Sequence, residues 1–292
     1  MDLFCVSLLS FAHKTIIILR YLVTPISIRR NPILAMNRIK ELTAYSEMIS
    51  SLTRRELRGK YAKSVLGFLW SFLNPMFQIL IYTIVFSVIF HNDMENYYIY
   101  LMTGLLPWTF FADSISSSAV IVNANAEMVK KIYFPREVLV IAEVNAKLIN
   151  MLLSFIVMGV FILISGVGFR PQILFLPVLV LEEYLLTLGL ALIIASITVY
   201  FRDMEYIINV ILMAWIWGTP IMYRLDIVEG MFRKILMLNP MTLLITSYQN
   251  VFYWHTSPNV AYLSILAIEG LAVVVIGELV FFRLSKHFAE EL

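Results

Sequence analysis

The chain has 292 residues, 60% of them hydrophobic and only 14% charged, with a mean hydropathy of +0.83 and a formal net charge of +2. A soluble domain is nearer half apolar and a quarter charged, so much of this apolar surface has to face lipid. That excludes a cytosolic enzyme, a nucleic-acid binder with a basic face and a disulfide-stapled secreted module; the one cysteine, Cys5, permits no intrachain disulfide.

In chain order, Leu3 to Ile28 is apolar but broken by His13, Lys14 and Arg20 into pieces too short to span. Residues 1–35 read either as an interfacial helix or as a stretch ahead of a start at Met36. They lack the basic lead and the small-residue cleavage site of a signal peptide. Leu42, Tyr45, Ile49 and Leu52 then recur at helical spacing, followed by Arg54-Arg55-Glu56-Leu57-Arg58-Gly59-Lys60. This predicts an amphipathic, basic helix within residues 36–66, lying in the membrane interface. Its charges serve either as topology signals or as a docking surface for anionic headgroups, with Arg54, Arg55, Arg58 and Lys60 as the contacts.

Residues 67–285 hold six predicted spans. No side chain is charged between Lys63 and Asp93, and Trp70 to Phe90 reads as the first span. The second runs from Tyr97 to about Ile121, interrupted by Asp113 and the Ser114 to Ser118 cluster. The third is Val138 to Ile164, the fourth Pro171 to Tyr200 with Glu182 and Glu183 inside it. Tyr206 to Tyr223 is the fifth, Asn259 to Phe282 the sixth, and residues 286–292 form a tail. Continuous apolar blocks, rather than short alternating segments, make the fold an all-α integral membrane protein. Between spans five and six, Ile235 to Ser257 carries no ionisable side chain except His255 and the tyrosines. Broken at Asn239-Pro240, it predicts two short re-entrant outer helices, with irregular backbone that protein must surround. Fifteen lysines and arginines fall on the side of the two termini against four on the other, which predicts both termini in the cytoplasm.

The sequence contains no G-x-x-x-x-G-K-[ST] phosphate loop, and its four histidines and one cysteine show no metal-ligand spacing. Any energy for work has to come from another subunit. Four motifs then stand in order: Leu57-Arg58-Gly59-Lys60-Tyr61-Ala62-Lys63-Ser64-Val65-Leu66-Gly67-Phe68-Leu69-Trp70 with Leu73-Asn74-Pro75, Val129 to Glu137, Tyr200-Phe201-Arg202-Asp203, and Leu238 to Thr242. Together they resemble the ABC-2-type permeases that export cell-surface polysaccharides, such as O-antigen, capsule and teichoic acid. The resemblance implies a multi-pass permease in the bacterial cell membrane, acting as a homodimer bound to two ABC ATPase subunits. ATP and magnesium are then used by the partner, with no cofactor on this chain. An undecaprenyl-type, lipid-linked polymer is the implied substrate. The competing readings are an ABC-2 exporter of a lipid or small amphiphile, and a membrane-embedded enzyme acting on polyprenyl-linked sugars.

Candidate site residues follow. The mixture of apolar and charged side chains in Lys130, Lys131, Ile132, Tyr133, Phe134, Pro135, Arg136 and Glu137 suits a loop that docks on an ATPase. At 100° per residue, Phe68, Phe72, Tyr82, Phe86 and Phe90 fall within an arc of about 80°. Tyr206, Met213, Trp217 and Pro220 share a face of the fifth span, with Trp215 pointing elsewhere. Both stripes are expected either to line a channel, where aromatic rings stack on sugar C–H faces, or to pack against neighbours and lipid. Glu143 and Lys147, spaced i, i+4, are expected to satisfy each other. Glu182 and Glu269 are expected at similar depth.

Overall fold

The computed structural model describes residues 42–59, 69–86 and 94–292, without the side chains of Ser71 and Phe72. The 1–35 extension, Lys60, Phe68, Phe90 and the side chain of Phe72 therefore lie outside the described residues. All regular structure within them is helical. The principal helices are α1 (Ser46–Gly59), α2 (Trp70–Ile84), α3 (Tyr97–Ala124), α4 (Ala126–Lys131), α5 (Glu137–Ile164) and α6 (Leu176–Tyr200, entered through a 3-10 turn at Pro171–Phe175). After them come α7 (Met204–Trp215), α8 (Gly230–Met237), α9 (Pro240–Gln249), α10 (Val260–Ser285) and α11 (Phe288–Glu291).

Among the described residues, Tyr97–Ala124, Glu137–Ile164, Pro171–Tyr200 and Val260–Ser285 are long and apolar enough to cross a membrane. They coincide with predicted spans two, three, four and six. Predicted spans one and five correspond to shorter apolar helices, Leu73–Ile84 and Met204–Trp215. The fifth span was expected to run to Tyr223; instead α7 ends after twelve residues, about 18 Å of helix. The Gly218-Thr219-Pro220 step breaks it, because Pro220 has no N–H and donors from elsewhere take the Gly218 and Pro220 carbonyl groups. Pro220 is buried and does not share the open face of α7.

Helix α3 is the centre of the molecule, packed by α2, α5, α6, α7 and α9. The most extensive helix pair is α6 with α10, where glycine lets two backbones meet. A Cβ on Gly189 would stand 2.5 Å from the carbonyl carbon of Val273, and one on Gly277 would collide with the Gly189 carbonyl. Glu182 and Glu183 are buried in this region, and the Glu182 carbonyl lies beside Gly270. A helix interface, rather than a lipid-facing surface, accounts for the acidic residues of span four.

One end of the bundle gathers the basic segments. Thr53 of α1 donates to the Ala142 carbonyl of α5 at 3.2 Å, and Arg55 donates to the side-chain Oδ1 of Asn125 at the α3–α4 corner, 3.1 Å. Arg136 donates to the Ser285 carbonyl and lies 5.9 Å from the Phe288 ring centre. Tyr200 donates to the Leu284 carbonyl at 2.9 Å. The predicted tail is thus an integral part of this end: Phe288 is fully buried against Phe281 and Tyr200.

Candidate translocation face

Most of α3 is buried, yet between residues 99 and 122 its partly exposed residues recur as Thr109, Ala112, Asp113, Ser116, Ser117 and Val120. That i, i+3, i+4, i+7 rhythm marks one helical stripe, and it is made of small and polar side chains. Toward α7, Ser116 donates to Asn209 Oδ1 at 2.6 Å. Toward α2, Asp113 and Thr109 help to line a cavity of about 290 Å³. Polar side chains on a membrane helix that are neither buried nor absent ask for a hydrated or polar partner.

The helices beside this stripe carry the predicted aromatic residues. Tyr206 and Met213 on α7, and Trp217 just past its end, are open, at 70, 68 and 60% exposure. Trp215 points the other way, with its ring 5.3 Å from Phe111 and its Nε1 donating to Asn239. On α2, Tyr82 and Phe86 are half-buried: Tyr82 accepts from Gln78 at 3.0 Å, and Phe86 packs 6.2 Å from Tyr97. The outermost face of α2 is formed instead by Phe77, Leu80, Ile81 and Ile84. Periodicity alone could group these rings but could not say how far toward α3 they turn.

Asn239 organises the far end. Its Oδ1 caps α9 by accepting from the Met241 amide at 3.0 Å, and it also accepts from Trp215 Nε1 at 3.0 Å. Its Nδ2 donates to the Gly218 carbonyl and to Thr219 Oγ1, both at 3.0 Å. Pro240 at the first helical position suits a cap of this kind. Gln249 donates to the Pro220 carbonyl, Tyr97 to that of Met222 and Tyr100 to that of Tyr223, at 2.7, 2.6 and 2.9 Å. Tyr248 anchors α9 to α6 through Glu183, 2.7 Å away. The two short helices expected from sequence are present, and side chains of Asn239, Gln249, Tyr97 and Tyr100 take up the carbonyl groups of the irregular backbone that leads into them at residues 218–223, as an apolar setting requires. A π-helical turn at Asn250–Trp254 ends at His255, which takes a left-handed conformation with φ of 52°. Burial and the nearby Arg170 charge push the His255 pKa below the usual histidine value.

At the basic end, Lys130, Lys131, Ile132 and Tyr133 project outward, with Tyr133 at 91% exposure and Ile132 at 57%. Phe134 does not join them. It is 5% exposed, Pro135 and Glu137 are buried beside it, and Arg136 is engaged with α10. The expected docking surface is therefore the four residues before Phe134. Arg54, Arg55 and Arg58 are all exposed on α1, and Arg55 also donates to Glu56 and Asn125. Lys147 and Glu143 form the expected pair at 2.9 Å.

A model of the ABC-2 type transporter family matches residues 47–253, from the start of α1 to the π-helical turn. The chain belongs to this family. It is 34% identical over 256 residues to the O-antigen export system permease protein RfbA of Myxococcus xanthus, covering 87% of this chain and 98% of the relative. The RfbA of Klebsiella pneumoniae is 31% identical over 249 residues, covering 84% and 95%. Polysialic acid transport protein KpsM of Escherichia coli is 25% identical over 236 residues, covering 78% and 90%. In this ABC-2 type permease, the family match encloses the α3 stripe, the outward loop and the Asn239 centre. Asp113 and the Ser114 to Ser118 cluster stand out in the sequence, but periodicity does not by itself group Thr109, Ser116, Ser117 and Asn209 as one surface. The signal available within α3 was small and polar residues at helical spacing in an otherwise apolar span.

Proposed function

We propose that the chain is the transmembrane subunit of an ATP-driven exporter that moves a lipid-linked polysaccharide, O-antigen-like or teichoic-acid-like, out across the bacterial cell membrane. Similarity along almost the full length of permeases for O-antigen export carries this reading. Two copies of the chain would bring their α3 stripes and α7 faces together around a path, and two ABC ATPase subunits would dock beneath them. The basic end then faces the cytoplasm together with both termini, as the distribution of lysine and arginine favours. Polar groups on α3 offer hydrogen bonds to sugar hydroxyls. Tyr206, Met213 and Trp217 on and just past α7, with Phe72, Tyr82, Phe86 and Phe90 on the first span, offer flat apolar surface for the sugar faces. Arg54, Arg58 and Lys60 would attract an anionic lipid-phosphate headgroup near the point of entry, each contributing about 1 kcal/mol.

Deleting the chain in its own host tests the proposal. Polymer should disappear from the cell surface and accumulate inside on its lipid carrier. Restoring the chain together with its ATPase should bring the polymer back outside. Normal surface polymer in the deletion strain would refute the reading.

A further inference from the structure

The cavity between α2, α3 and α5 is built unlike its surroundings. Lys147 and Asn150 stand ten and thirteen residues into α5, and Asp113 eleven from the other end of α3. At about 1.5 Å per residue these depths are roughly 15–20 Å from the basic end. The hydrocarbon layer is about 30 Å thick, so the cavity lies well inside it. Yet Asn74, Gln78, Asp113, Lys147 and Asn150 all contribute to its wall.

Burying so many hydrogen-bonding groups in a membrane is costly unless something polar occupies the space. Asn150 Oδ1 is buried with no partner among the described residues. Asn74, by contrast, is exposed, which opens the cavity to the outside of the chain. Charge then narrows the choice of occupant. The Lys147 ammonium is neutralised by Glu143 at 2.9 Å, and Asp113 places a further carboxyl in the wall. With no net positive charge, the wall opposes a phosphate or pyrophosphate. Carboxamides and a carboxyl group suit a neutral polyol, because they can both donate to and accept from adjacent hydroxyls. Trp70 and Phe110 supply aromatic surface for the C–H face of a ring. The volume, about 290 Å³, is near the lower limit of small-molecule sites and matches a unit of one or two sugar rings.

We propose that this cavity binds an uncharged sugar unit of the transported polymer, beside the α3 stripe with which it shares Thr109 and Asp113. The proposal rests on the polysaccharide reading and adds a place and a charge preference. Occupancy of such a site would bias export toward chains whose residues are neutral at that position.

The test uses the full chain in nanodiscs with Cys5→Ser and Asn74→Cys, and follows modification of the new thiol by a small water-soluble reagent. The thiol should react, and maltose or cellobiose should slow the reaction, whereas inorganic pyrophosphate should not. Gln78→Leu and Asn150→Leu should each raise the half-protecting sugar concentration roughly tenfold, the change expected when one hydrogen bond of about 1.4 kcal/mol is lost. Having two independent wall variants, each checked by its thermal unfolding midpoint, guards against the misfolding of one. Should both unfold, sugar protection of the parent protein decides the matter. An unreactive thiol would mean a dry cavity, and equal protection by pyrophosphate would mean an anion site; either overturns the proposal, as does a lack of sugar protection. Sugar protection in a chain whose deletion leaves surface polymer unchanged would keep the site and remove only the polysaccharide-export reading. Reconstituted export of neutral and charged polymers separates a polymer subsite from one for free sugar: wall variants should slow only the neutral polymer, and unaltered export of it would overturn the assignment to polymer.

Discussion

Replacing Ile132 and Tyr133 together with alanine is expected to abolish export while leaving the permease folded. Both side chains face outward at the basic end, with Lys130 and Lys131 beside them, and no packing within the chain depends on Tyr133 at 91% exposure. An exposed tyrosine that becomes buried in a partner's pocket typically carries about 2–4 kcal/mol of an interface. Its loss with Ile132 should weaken ATPase docking by well over tenfold. Co-purification of the ATPase should fall and the thermal midpoint of the permease should stay. Phe134→Ala, one residue further on, should do the reverse. Truncating this buried ring removes core packing worth about 3–5 kcal/mol, so the midpoint should drop. Intact docking in the double variant would remove the loop from the ATPase interface.

The second large effect is expected at Asn239. Alanine there withdraws the cap of α9 and leaves Trp215 Nε1 and the Gly218 carbonyl without their partner. A lost cap costs about 1 kcal/mol and each stranded buried group about 1–3 kcal/mol, giving a total on the order of 3 kcal/mol or more. Asn239→Asp keeps both bonds accepted by Oδ1 and loses the two donated by Nδ2, so its thermal midpoint should fall between those of wild type and alanine. Equal stability of all three would show that the far-end hairpin is held by apolar packing alone.

Residues 97–124, 137–164, 171–200 and 260–285 were legible as spans because their length and high mean hydropathy, with few charges, are local properties. The end of α7 was not. Hydropathy stays high through Trp217 and Ile221, and the donors that release Gly218 and Pro220 from a helix come from Asn239 and Gln249, some twenty to thirty residues later. Similar logic applies to the outward loop: composition marked it, but the burial of Phe134 and the engagement of Arg136 with the end of α10 and with Phe288 are tertiary. Glu182 and Glu183 looked anomalous in sequence because the glycine contact of α6 with α10, and the hydroxyl of Tyr248, are tertiary facts. The α3 stripe was hidden by the opposite effect. Ser114 and Ser118 are buried while Ser116 and Ser117 are open, so a serine-rich run concealed a helical pattern.

That stripe also offers the most direct test of an export path along this face. Single cysteines would be placed at 109, 112, 116, 117 and 120, and at 114, 115, 118 and 119, in a Cys5-free chain assembled with its ATPase. A small water-soluble thiol reagent should label the first set during ATP hydrolysis and leave the second silent. Loading the complex with lipid-linked polymer should slow labelling of the first set. Labelling of the second set instead, or a first set that polymer does not protect, would place the path elsewhere and contradict the account.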